Sequence, residues 1–246
     1  MELRGVLFLA GIALVTHEAA AAEVTERFEK SVSLSAGGSF RLDNVNGSVL
    51  IESWAEPRVQ ITAEKRARSE ADLRAISIEV EGEGSSVSVR TRHLRREDSD
   101  RSGSVSYRVR VPQDAQVDAS AVNGKLEIRG TSGSVRASTV NGGVRLEDVG
   151  GDVNATTVNG GIEARYREAT DGRHRFSTTN GSVTIELPES AGGEFDARTQ
   201  NGSIATDFPV TMSGTLSRRH LSGQFGSGGA RFEMSTVNGS VNLRSR

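Results

Sequence analysis

The side chains that carry most protein chemistry are scarce in this 246-residue chain. It has four histidines and no cysteine, which removes thiolate catalysis, disulfides, iron–sulfur clusters and a lipidated N-terminal cysteine. Beyond the first residues only His93, His174 and His220 remain, far apart and without the HxH or HExxH spacing of a metal site. His93 and His220 sit beside arginines and are expected in solvated loops, and His174 at a bulge or corner. Glu97, Asp98 and Asp100 could start a calcium loop, which needs six or more oxygens. Arg92, Arg95, Arg96 and Arg101 surround them, so mutual charge pairing is the expectation. There is no GxSxG elbow, no Walker A loop and no GxGxxG after a strand. Outward charges alternate in sign, as at Arg136, Arg145 and Glu147, so no general acid–base pair can be nominated. The expectation is a protein that is not an enzyme, with no catalytic, cofactor-binding or metal-ligating residues.

Bulk composition narrows the partners. Thirty basic residues against 32 acidic ones leave a net charge of −2, which removes a global electrostatic argument for nucleic acid or an anionic membrane. Aromatics are 4% of the chain, too few for the stacking platforms that bind bases or sugars. Trp54, Tyr107 and Tyr166 are scattered, with Tyr107 a candidate for burial.

The first 22 residues read as an address. Arg4 precedes an apolar run, Gly5 to Val15, and Ala19 to Ala22 supplies small residues for cleavage. This is the three-part pattern of a secretory signal peptide, and the run is short of the roughly 20 residues that span a bilayer. The mature chain from Glu23 is expected to be exported, periplasmic or extracellular, with no transmembrane segment.

One dipeptide organises the mature chain. Of ten asparagines, seven precede glycine: Asn46, Asn123, Asn141, Asn159, Asn180, Asn201 and Asn238. From Asn123 they are spaced 18, 18, 21, 21 and 37 residues apart, a period that marks a repeat architecture. The last gap reads as two turns, one of which has lost its Asn-Gly. Three residues after each asparagine stand Val49, Leu126, Val144, Ile162, Val183, Ile204 and Val241. Two before stand Asn44, Ala121, Thr139, Thr157, Thr178, Thr199 and Thr236. Six before stand Phe40, Val117, Val135, Val153, His174, Phe195 and Phe232. This period-2 alternation on both sides predicts strands flanking a turn. Parity places the asparagines and threonines inward, and glycine at the turn is expected to supply a positive φ.

Two architectures meet that pattern. In an antiparallel meander or sandwich each Asn-Gly closes a type I′ hairpin. In a β-solenoid, or β-helix, each is a corner, and equivalent residues stack about 4.8 Å apart. Recurrence of the same Asn, Thr and Ala at one register favours the solenoid, because a structural ladder of asparagines passes amide hydrogen bonds between coils. The expected layout is a signal peptide over 1–22, a β-rich capping region over 23–111 and the Asn-Gly repeat over 112–246. In the capping region, strands are expected near Arg58 to Lys65, Ile76 to Val80, Ser86 to Thr91 and Ser104 to Val111. A short helix is expected after Ser69, an N-cap with Asp72 three residues on. The last repeat looks uncapped, an edge open to stacking.

The runs FRLDNVNGSVLIESW, RVQITAEKRARSEADL and VSYRVRVP, followed by repeated STVNGGV, resemble the bacterial candidate-adhesin family of β-strand-repeat domains, a domain of unknown function. The resemblance spans nearly all of the mature chain. It implies an exported or envelope-associated protein and carries over no catalytic residues. The expected role is a structural or interaction module at the bacterial cell envelope, with a polymer or protein of that envelope as partner and no nucleic acid. The alternatives are a carbohydrate-active β-helix enzyme and a scaffold that self-associates through its C-terminal edge.

Overall fold

The computed structural model describes residues 23–93, 103–168, 171–212, 217 and 219–246. The signal-peptide segment and the Glu97, Asp98 and Asp100 loop lie outside them. The described elements, in chain order, are β1 (Val24–Asp43), β2 (Val49–Trp54), β3 (Arg58–Ala67), α1 (Glu70–Arg74), β4 (Ile76–Glu81), β5 (Gly84–His93) and β6 (Gly103–Pro112). Next come β7 (Gln116–Asn123), β8 (Leu126–Arg129), β9 (Val135–Asn141), β10 (Val144–Glu147), β11 (Val153–Asn159), β12 (Ile162–Arg165), β13 (Arg173–Asn180) and β14 (Val183–Leu187). The chain closes with β15 (Gly193–Asn201), β16 (Ile204–Thr206), β17 (Val210–Met212), β18 (His220–Phe225), β19 (Ala230–Asn238) and β20 (Val241–Ser245).

The two strands around an Asn-Gly do not pair with each other, so the dipeptides close no hairpins. Each strand pairs in parallel with its equivalent in the next repeat: Val135 faces Val153 and Asn141 faces Asn159, while Val144 faces Ile162. The fold is all-β and mostly parallel. Sheet A runs β1–β3–β6–β2–β8–β10–β12–β14–β20–β16. Sheet B runs β4–β5–β1–β7–β9–β11–β13–β19–β15–β18–β17. Strand β1 serves both, with Val24–Ser33 in sheet A and Ser39–Asp43 in sheet B. Antiparallel pairs occur only toward the two ends of the stack.

Alternation sets the core. On β9, Val135, Ala137 and Thr139 are buried while Arg136 and Ser138 are exposed, and on β10 Val144 and Leu146 are buried. Phe40, Phe176, Phe195 and Phe232 are core residues as expected, and so is Tyr107. Helix α1 begins at the expected cap, where Ser69 Oγ accepts from Asp72 N at 3.1 Å.

Three expectations need correction. First, the stack does not follow chain order. One rung is an Asn-Gly with its two strands, and the rungs succeed one another as Asn46, Asn123, Asn141, Asn159, Asn180, Asn238 and Asn201. The final repeat, β19–β20, is inserted between the rungs of Asn180 and Asn201. It is interior, so it forms no open C-terminal edge; the edges at that end belong to β16 and β17. Second, among the described residues the 37-residue gap shows no lost rung. Its described residues form β18, which folds back antiparallel on β15, and β17, which pairs antiparallel with β18. Third, His174 occupies no bulge or corner but lies within β13, in register with Val153 and Phe232. His93 ends β5 opposite Ile76, and His220 opens β18, so neither histidine lies in a loop.

Candidate binding face

The asparagines form a ladder, but on the outside. Asn123 Nδ2 donates to Asn46 Oδ1 at 2.7 Å, Asn141 to Asn123 at 2.8 Å and Asn159 to Asn141 at 2.9 Å. The same bond continues from Asn180 to Asn159, Asn238 to Asn180 and Asn201 to Asn238, at 2.8 to 2.9 Å. Asn46 itself donates to Gly103 O. All except half-buried Asn46 are exposed. Parity failed here because alternation breaks after the inward threonine: Val140 and Asn141 are both exposed, and the ladder skips the valine while Asn141 still pairs with Asn159. Those threonines are buried, and Thr157 Oγ1 donates to Gly142 O at 2.8 Å, with the same contact at Thr139, Thr178, Thr199 and Thr236. The hydroxyl satisfies a glycine carbonyl that faces the core.

The expected positive φ is met at Gly47 (116°), Gly142 (157°), Gly181 (159°) and Gly239 (155°), and a close approach between rungs adds a second need for glycine. A Cβ on Gly160 would sit 2.1 Å from Gly142 O, and one on Gly124 would sit 2.0 Å from Gly47 O. Neither residue has a positive φ in the left-handed region. Glycine is required because successive rungs touch backbone to backbone at this corner.

The two outer faces differ in electrostatics. On sheet A, equivalent positions read Glu52, Arg129, Glu147, Arg165 and Glu186 up the stack. Arg129 lies 3.6 Å from Glu52 and 3.2 Å from Glu147, and Arg165 lies 2.7 Å from Glu186. The Arg165 hydrogen bond holds the Glu186 carboxyl below its usual range. Sheet A thus neutralises itself.

Sheet B carries an open groove of about 790 Å³ across its outer face. Its central column reads Arg41, Asp118, Arg136, Asn154, Arg175 and Glu233. Arg41 pairs with Asp118 at 3.3 Å and Arg175 with Glu233 at 2.7 Å, which lowers the Glu233 pKa. Arg136 and, one column over, Arg173 reach no carboxylate among the described residues. Asp152 Oδ1 accepts the Arg173 backbone N–H at 2.9 Å. Between the Arg136 and Arg175 rungs, Asn154 Oδ1 is buried without a hydrogen-bond partner. Two exposed guanidiniums beside an unused acceptor can hold a carboxylate or phosphate together with a neighbouring donor group. Acid–base chemistry has less to work with, since Asp118 and Glu233 are both tied to arginines. Beside the asparagine ladder, Val122, Val140 and Val158 add a stripe about 40% exposed.

Alignment on the asparagines already places Arg136, Asn154 and Arg175 in one column. Their importance is not legible there because ion pairing depends on which rungs are neighbours. Tyr166, read as scattered, is buried, with its hydroxyl 3.3 Å from His174 Nδ1. Near His220, Nε2 meets Asp196 Oδ2 at 3.0 Å. No helix among the described residues is long and apolar enough to cross a membrane.

No curated protein matches the sequence. Among solved structures, a candidate cell adhesion protein from Clostridium sporogenes shares the fold at a TM-score of 0.54 and 12% identity, covering 90% of this chain and 100% of its own. A candidate adhesin from Bacteroides fragilis aligns at a TM-score of 0.45 and 9% identity, covering 89% of this chain and 97% of its own. The family match is broader than either pairwise identity suggests. Residues 35–244, from the first Asn-Gly rung through the inserted last one, match the toastrack DUF4097 family, and the chain belongs to it.

Proposed function

We propose that the protein is an exported, non-enzymatic β-solenoid that acts as an adhesin-like interaction module at the bacterial cell envelope. The signal-like segment over 1–22 supports export, and the fold shared with a candidate cell adhesion protein supports a binding role. The observation that carries the reading is the sheet B groove, where Arg136 and Arg173 lack carboxylate partners and Asn154 Oδ1 lacks a donor among the described residues. Its ligand is a polymer bearing repeated carboxylate or phosphate groups. Rungs about 4.8 Å apart make a stiff frame for such a ligand.

The test is cosedimentation of mature protein with isolated cell-wall sacculi and, separately, with outer-membrane fragments over a range of salt. Saturable, salt-weakened binding to sacculi assigns the carboxylate source, and binding to membrane fragments assigns the phosphate source. Arg136→Glu with Arg173→Glu should abolish either. Absence of binding to both fractions, or binding indifferent to the double variant, would overturn the groove assignment.

A further inference from the structure

The seven Asn-Gly pairs are alike in sequence, and the stack treats one of them differently. Asn-Gly is a chemically labile pair, because an unhindered glycine nitrogen can attack the preceding side-chain amide. In the ladder two contacts oppose that attack, and both come from the following rung. The glycine N–H donates to the next asparagine's backbone carbonyl, as from Gly142 to Asn159 O at 3.0 Å and from Gly239 to Asn201 O at 3.0 Å. The asparagine Oδ1 accepts the next asparagine's Nδ2, as Asn141 does from Asn159 at 2.9 Å. The first contact holds the nucleophile's proton, and the second restrains the electrophilic amide.

Asn201-Gly202 ends the ladder. Asn201 donates to Asn238 Oδ1 at 2.9 Å, but its own Oδ1 accepts from no described residue, and the Gly202 N–H has no partner among them. Both residues are exposed. The rung is terminal because the last repeat is inserted beneath it instead of following it.

We propose that Asn201 is the site at which the folded protein spontaneously deamidates. Gly202 N bonds to Asn201 Cγ as the Cγ–Nδ2 bond breaks, and the glycine proton leaves with the departing ammonia. Water then opens the cyclic imide at either carbonyl, giving aspartate or isoaspartate. Either product replaces the donor facing Asn238 Oδ1 with a carboxylate. Isoaspartate also lengthens the backbone by one carbon where a Cβ on Gly202 would already lie 1.8 Å from Gly239 O. The modification therefore loosens β15–β16 from β19–β20 and leaves the other rungs intact.

The test incubates the full mature chain at mildly alkaline pH, once folded and once in denaturant, and maps aspartate and isoaspartate by peptide mass spectrometry. In the folded protein Asn201 should react at least about tenfold faster than any other Asn-Gly, a factor set by the two hydrogen bonds that must otherwise open. In denaturant the seven rates should converge, and Asn201→Gln should remove the folded-state signal. Equal rates at Asn141 or Asn159 in the folded protein, or no reaction at Asn201, would overturn the proposal. So would the same preference for Asn201 in denaturant, since local sequence would then explain it.

Discussion

His174 makes the fold sensitive to acid. It lies on β13 with its ring stacked on Phe232, centroids 4.9 Å apart, and edge-on to Tyr166. Burial pushes its pKa from 6.5 down to about 4, against an opposing backbone hydrogen bond at Asp171 and the charge of Asp152. Nε2 faces no hydrogen-bond partner among the described residues, so a protonated ring would carry an unmet N–H. Between about pH 4 and 6.5 the unfolded chain binds the proton and the folded chain does not. Stability therefore rises with pH through that window: it is full above 6.5 and is lost as pH falls toward 4. The whole shift corresponds to roughly 3 kcal/mol, of which about 2 kcal/mol is gone by about pH 5. Carboxylates such as Glu233 and Glu186, held low by arginines, add acid sensitivity of their own. The decisive assay is a difference: urea unfolding of wild type and His174→Phe at about pH 7.5 and about pH 5. Phenylalanine continues the column of Phe232 and Phe195 and cannot titrate. It strands the Tyr166 hydroxyl, a cost of about 1 kcal/mol that does not vary with pH. Wild type should lose about 2 kcal/mol more than the variant on acidification. Parallel losses in the two proteins would refute the assignment.

Other perturbations probe the rungs. Gly160→Ala drives a Cβ to 2.1 Å from Gly142 O and should cost about 3 kcal/mol or more, whereas Gly161→Ala, 3.2 Å from Ser182 O, should cost less than about 1 kcal/mol; similar thermal midpoints for the two would contradict the close-approach explanation. Asn159→Ala removes one ladder bond to Asn141 and one from Asn180 and should lower stability by about 1 kcal/mol, given their exposure. A midpoint equal to wild type would mean that the ladder is decorative. Deleting Ala230–Arg246 takes out an interior rung, so the remaining chain should lose its single cooperative unfolding transition; a truncated chain that melts like the full one would disprove the inserted order.

Some of this protein is written locally. Alternation around Asn-Gly determined the strands, the inward Phe40, Phe176, Phe195 and Phe232 and the inward threonines, because a strand's side chains change face every residue. Ser69 and Asp72 likewise specified α1 from within one turn. Parallel stacking was legible too, since only stacking rewards the same residue at the same register. What the repeat could not encode is which rung lies beside which. Equivalent rungs are interchangeable in pattern, so nothing local distinguishes Asn201 from Asn238 as the neighbour of Asn180. Pairing over 18 to 77 residues decided that, and with it the exposed end at Asn201, the stack of His174 on Phe232 and a groove in which Arg136 and Arg173 meet no carboxylate among the described residues. The glycines show the same division. Their positions and the positive φ of Gly47, Gly142, Gly181 and Gly239 are legible in the sequence, but the need for glycine at Gly124 and Gly160 arises only when another rung's carbonyl arrives about 2 Å from where a Cβ would be. Period-2 pattern is a property of one strand, whereas contact between rungs is a property of the folded chain.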